Sequence, residues 1–156
     1  MEGLLYVETT IPSFYHETRT TADVVSRRNW TREWWDESRS DFNLVTAPPV
    51  LQELRRTPAP KRDLALEMLN EIRLLQPLPE IDEIIVQYLA HKLMPQDASG
   101  DAAHLAFASF YSCEWLLTWN CKHLANGRKL RHIQSVNNRL GLNTPALLTP
   151  LELLER

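Results

Sequence analysis

Residues 101–123, DAAHLAFASFYSCEWLLTWNCKH, leave few folds open to this chain. Asp101 opens the stretch, and Ala102, Ala103, Leu105, Ala106 and Ala108 follow. That run is rich in helix formers and too small and apolar for a solvent face, so it predicts a buried helix. Trp115 to Trp119 then forms an apolar block without polar alternation. Such a block predicts a short strand covered on both sides, the parallel kind. It ends on Asn120. A helix, a tight connection, a buried strand and a polar residue at the strand's carboxyl end make the local pattern of an open α/β sheet, where ligands bind at that end.

The same alternation recurs along the chain. Leu4 to Val7 predicts a buried first strand with Glu8 at its tip, and Thr9, Thr10 and Pro12 signal a helix start. Glu8 suits either a helix-dipole partner or a site acid. Residues 21–39 predict a long helix with Val24, Val25, Trp34 and Trp35 inward, and Leu44 to Thr46 a second strand. Pro48-Pro49 lead into a helix over 50–56. Val50, Leu51 and Leu54 are its apolar stripe, and Glu53 lies at the border, snorkelling outward or aimed into a cleft. Residues 61–72 predict an amphipathic helix on Leu64, Leu66, Met68, Leu69 and Ile72, and Leu74-Leu75 a third strand. Residues 81–93 predict a helix that Pro95 stops. Asp97, four residues before Asp101, reads first as an N-cap.

Beyond Asn120, residues 121–126 predict one turn of helix and Gly127 a break. Residues 129–140 predict a helix on Leu130, Ile133, Val136 and Leu140, with Asn137 and Asn138 off that stripe and Gly141 ending it. Ala146 to Leu148 predicts an edge strand, and Thr149-Pro150-Leu151-Glu152 a capping box. Strands alternating with helices predict an α/β chain with a parallel sheet, helices on both faces and right-handed crossovers.

Bulk properties narrow the function. At 156 residues the expectation is one domain over 1–156, with ordinary globular composition and four glycines. Net charge is −3 and pI about 5.9. A domain that grips nucleic acid only by neutralising phosphates is usually basic, so such a role would need a local basic patch or metal ions. Cys113 and Cys121 read as free thiols; with His104 and His123 they match no zinc spacing. Met1 to Val7 is too short for a signal peptide and carries Glu2, and no apolar run reaches a membrane span. A cytoplasmic protein without membrane contact is expected.

In a parallel sheet, Glu8 and Asn120 project from carboxyl ends of strands. Asp101 lies in the first turns of the helix leading into the second of these, and Glu53 on a helix entered from another strand. Three carboxylates and an amide suit Mg²⁺ or Mn²⁺ rather than zinc or copper. Two carboxylates about 5 Å apart repel by roughly 3 kcal/mol at an effective dielectric near 20. Three together force a proton onto one of them unless a divalent cation sits between. Such an ion polarises a phosphoryl oxygen and activates water, so metal-assisted phosphodiester hydrolysis is the natural reaction class.

Four segments carry a resemblance: YVETTIPSFY at 6–15, VLQELRR at 50–56, DAAHLAFA at 101–108 and LLTWNCKHLAN at 116–126. Together they resemble the PIN-domain family, and within it the VapC-type toxins of type II toxin–antitoxin systems. The resemblance spans essentially the whole chain, and the TWNCKH block is its most specific part. It implies a three-layer α/β/α sandwich and a metal-dependent endoribonuclease acting on RNA. It also implies an antitoxin protein as possible partner, and a homodimer.

The family's acidic cluster carries over onto Glu8, Glu53, Asp101 and Asn120 as catalytic residues, with Glu8, Glu53 and Asp101 holding Mg²⁺ or Mn²⁺. The first acid is usually Asp, and the fourth position is often Asp where this chain has Asn120. The site is therefore less negative, and one well-held ion with a weaker second is expected. Thr118 matches a family hydroxyl position that orients a ligand or water, and Thr9 is placed to do the same beside Glu8.

His104 follows Asp101 by one helical turn, either touching substrate, holding Asp101 or packing as a structural histidine. His123 has the same choices. Trp119 reads as core, with base stacking as the alternative. Among the cations, Arg55, Arg56 and Lys122 are the candidates for a basic rim that meets phosphates. Two other functions stay open: a PIN-like module that binds RNA or a protein without catalysis, and a metal phosphatase for small substrates.

Overall fold

Five short segments, most of them apolar, line up side by side, all in the same direction. They are β1 (Leu4–Val7), β2 (Asn43–Thr46), β3 (Arg73–Leu74), β4 (Trp115–Leu117) and β5 (Ala146–Leu148). The computed structural model describes residues 3–154. The sheet order is β3-β2-β1-β4-β5, with every pair parallel. β1 is central: Leu5 stands opposite Leu44 on one side and Trp115 on the other. That position explains why Leu5, Tyr6 and Val7 are fully buried.

Among the described residues, eight α-helices connect and cover the strands: α1 (Thr10–Tyr15), α2 (Ala22–Ser38), α3 (Pro48–Arg55), α4 (Lys61–Met68), α5 (Pro79–Ala90), α6 (Ser99–Phe110), α7 (Gly127–Leu140) and α8 (Pro150–Leu154). The chain is an α/β protein with an all-parallel central sheet flanked by helices, a three-layer α/β/α arrangement. The crossovers from β1 to β2 to β3 run one way across the sheet. The crossover from β3 to β4 runs back past β1. Right-handed connections therefore put α5 and α6 on the opposite face from α1 and α2. The order reverses between β1 and β4, which is the switch point where open α/β sheets bind ligands. No helix among the described residues is long and apolar enough to cross a membrane.

Several expectations are corrected. The strand over 115–119 stops at Leu117, although the Thr118 amide still donates to the Leu148 carbonyl at 3.0 Å. Residues 121–126 are turns, not helix. Gly127 does not break a helix but opens α7, because the Asn126 side chain caps it by accepting from the Arg128 amide. α4 ends at Met68, and its face is rotated from the one expected: Leu64 is 46% exposed while Ala65 is in the core. Of the Leu74-Leu75 pair only Leu75 is buried.

Asn137, expected off the apolar stripe of α7, is fully buried. Its Oδ1 accepts from the Tyr88 hydroxyl at 2.6 Å, and its Nδ2 donates to Ser109 Oγ and Thr144 Oγ1. One amide thus ties α5, α6 and α7 together, and a periodicity count reads such a residue as surface. The capping box is present as expected: the Thr149 amide donates to Glu152 Oε1 at 2.8 Å and the Glu152 amide to Thr149 Oγ1 at 3.3 Å.

Candidate active site

Strand alternation sends Tyr6 and Glu8 to the same face of β1. There they meet His104 of α6. Glu8 is 3% exposed and His104 fully buried. The His104 Nδ1 lies 2.8 Å from the Tyr6 hydroxyl, and its Nε2 lies 2.9 Å from Glu53 Oε1 and 3.8 Å from Glu8 Oε2. Glu8, Glu53 and His104 each offer one donor atom, and the three atoms lie within 4.8 Å of one another.

Hydroxyls fix both acids. Glu8 Oε1 accepts from Thr118 Oγ1 at 2.7 Å, from Thr10 Oγ1, and from the Thr10 amide at 3.0 Å. Glu53 Oε1 accepts from Thr9 Oγ1. The other Glu53 oxygen rests against the first turn of α6, where a Cβ built on Gly100 would come within 2.3 Å of it. Only a glycine lets the carboxylate lie that close to the helix backbone.

Burial is the largest single influence on each charge state, and it decides the outcome at Glu8 and Tyr6 but not at Glu53 and His104. It pushes the Glu8 carboxyl above the usual range, against the pull of His104 and of its threonine donors. Burial also acts to raise Glu53. The hydrogen bond and charge of His104, the Thr9 hydroxyl and the Arg56 charge outweigh it, and Glu53 is held below the usual range. For His104, burial opposes the cation, but the bond to Glu53 and the charges of Glu8, Glu53 and Asp101 prevail and raise its pKa. Burial first, then Glu8 and Glu53, keep the Tyr6 hydroxyl protonated well above its ordinary range.

Asp101, expected as the third metal donor, is not in the compact group; His104, one turn further along α6, takes that place. The Asp101 Oδ2 lies 2.8 Å from His123 Nδ1 instead. Its charge still reaches His104. Asn120 Oδ1 accepts from the amides of Lys122 at 3.2 Å and His123 at 3.0 Å, so its side chain builds the turn after β4. That turn in turn presents His123 to Asp101.

Thr118, expected to orient a ligand or water, donates to Glu8, and Thr9, expected to do so beside Glu8, donates to Glu53. Arg55, Arg56 and Lys122 are exposed and form no ion pair among the described residues. Trp119 is core-packed, with its indole N–H on Thr31. The cysteine–histidine set is not gathered: Cys113 is buried and its thiol is pushed up to about 12 by burial, while Cys121 is exposed.

Tyr6 and Thr10 were missed by the sequence reading. The signal for Tyr6 is its place two residues before Glu8 on one strand. The signal for Thr10 is a hydroxyl two residues after an acid, the spacing of a local side-chain turn. No protein-family model and no curated protein matches the chain.

Two carboxylates and one imidazole around a common point fit a divalent ion. A nitrogen donor favours Mn²⁺ over Mg²⁺. The imidazole is also held from behind by a hydroxyl, as ligating histidines are.

Proposed function

We propose that this chain is a metal-dependent endoribonuclease of the PIN-domain type, with Glu8, Glu53 and His104 around one Mn²⁺ or Mg²⁺ and Asp101 beside them. The observation that carries this reading is a buried carboxylate, a half-buried one and a buried imidazole with donor atoms within 4.8 Å of one another, at the switch point of a parallel sheet. Holding a half-buried acid against a buried one is costly, and a fold that holds them there by four hydroxyl and amide donors is built to keep negative charge in place. The ion, when bound, supplies a Lewis acid and an activated water for hydrolysis of a phosphodiester.

The chain's own residues then have distinct tasks. Thr10 and Thr118 aim Glu8, Thr9 aims Glu53, and Tyr6 fixes the His104 ring. The Asn120 turn delivers His123 to Asp101, so Asp101 is held in a hydrogen-bonded pair while its charge reaches His104. A toxin role with an antitoxin partner, and a homodimer, belong to the same proposal.

One observation favours a second function, a PIN-like module that binds RNA or a protein without cutting. His104 already bonds to Glu53 and faces Glu8, which offsets part of the cluster's charge without an ion. Incubation of a mixed-sequence RNA with Mn²⁺, Mg²⁺ or EDTA separates the two. An endoribonuclease cuts with metal only, and Glu8→Gln and Asp101→Asn each lower the rate by at least about 100-fold. Intact RNA under all conditions with folded protein contradicts catalysis. Turnover of a phosphomonoester with RNA left intact points to a phosphatase.

A further inference from the structure

Arg27 of α2 is seated on an aromatic floor beside the candidate active site. Its guanidinium carbon lies 5.3 Å from the centroid of the Trp119 ring and 5.9 Å from that of Phe14. Trp119 joins Thr118 to Asn120, and it is fixed at two points. Its amide donates to Thr10 Oγ1 at 2.8 Å, and its indole N–H donates to Thr31 Oγ1 at 2.7 Å. The Thr10 hydroxyl in turn donates to Glu8. Trp30 stacks on Trp119 with centroids 6.1 Å apart and planes at 25°, and Phe14 tilts against the same ring. The support of the Arg27 cation is therefore connected to Glu8 through a single threonine.

Among the described residues the Arg27 guanidinium forms no ion pair and no hydrogen bond. Asp23, one turn earlier on α2, is fully exposed and meets Arg27 only through its field, as the weakest of the influences on its carboxyl. A guanidinium held over aromatic rings and without a hydrogen bond keeps its N–H donors available, and those donors match a phosphate. An acidic cleft in a chain of net charge −3 repels a polyanion, so a strand reaching Glu8 needs fixed positive charge beside it. Arg55, Arg56 and Lys122 are exposed side chains with no aromatic support. Arg27 is half-buried and held, so less side-chain freedom is lost when it binds.

We propose that Arg27 is the fixed phosphate contact for single-stranded RNA entering the Glu8 cleft along the Trp119 side. This rests on the ribonuclease function proposed above. The contact fixes the strand's position and reads no base.

The test is anisotropy of a fluorescein-labelled, mixed-sequence single-stranded RNA with the full chain, in EDTA so that no strand is cut, over a range of KCl. Circular dichroism and thermal melts accompany each variant. Arg27→Gln is expected to raise Kd about tenfold and to lower the slope of log K against log salt by ~0.7. Arg27→Lys keeps the charge and the slope but loses the forked N–H donors, and binds between the two. Arg62→Gln removes an exposed arginine of α4 paired with Asp63 and keeps wild-type values.

Wild-type affinity and slope in Arg27→Gln overturn the proposal and leave the ribonuclease function standing. An equal loss in Arg62→Gln also overturns it, since diffuse surface charge then suffices. Absence of salt-dependent RNA binding in the wild type overturns the contact, and RNA cleavage with Mn²⁺ decides the ribonuclease function separately. Should Arg27→Gln not fold, Arg27→Lys decides, and binding equal to wild type overturns the contact.

Discussion

At His104 a buried imidazole lies between two carboxylates, 2.9 Å from the half-buried Glu53 and 3.8 Å from the buried Glu8. Without an ion, a protonated ring is the counter-charge that lets Glu8 and Glu53 stay close. Its pKa is raised from 6.5 in the fold, so the stabilisation is fully present below the unfolded value of 6.5 and is lost as pH rises through the folded value. In EDTA, the urea midpoint of the wild type should fall between pH 6.5 and mildly alkaline pH, while His104→Gln shows a flatter profile there. Parallel profiles would remove His104 as the counter-charge. At this scale the acids were legible, because a strand tip and the border of an apolar stripe are visible in sequence. Which side chain of α6 turns to Glu8 and Glu53 was not. Asp101 and His104 share a helix face at i and i+3, and spacing alone does not tell which of them turns to Glu8.

At the scale of elements, α6 carries the site and is held from both ends. Its first turn must let Glu53 approach the backbone at Gly100. Gly100→Ala adds a methyl group that the flexible end of Glu53 can evade. The expected result is unchanged stability, or a gain of up to about 1 kcal/mol from helix propensity, together with loss of most metal-dependent activity. Equal activity would show that Glu53 need not sit where it does. The far end of α6 is locked by Asn137, buried among Tyr88, Ser109 and Thr144. Tyr88→Phe strips Asn137 Oδ1 of its donor and should cost about 1–3 kcal/mol by chemical denaturation, with activity kept. Most elements were readable from period and punctuation, down to the Thr149–Glu152 capping box, but the turn over 121–126 was read as helix. What periodicity could not supply were the polar residues that face inward. Asn137 in α7 and Thr31 in α2 are buried because partners on other helices and the Trp119 turn satisfy them.

For the molecule as a whole, the sheet order sets the site. β1 and β4 are neighbours although more than a hundred residues separate Glu8 from Thr118, and their tips bring those two side chains to 2.7 Å. Alternation of strand and helix foretold a parallel sheet with helices on both faces. It foretold no strand order, because pairing between distant segments leaves no local mark. The order reverses at β1, and the acids sit at that reversal. The central claim is that Glu8, Glu53 and His104 form one divalent-ion site. It is tested most directly by calorimetric titration of the metal-free chain with Mn²⁺, beside Glu8→Gln and Asp101→Asn. One Mn²⁺ per chain is expected in the wild type, abolished in Glu8→Gln and only weakened in Asp101→Asn. No Mn²⁺ binding by the folded wild type, or equal binding by Glu8→Gln, would contradict it.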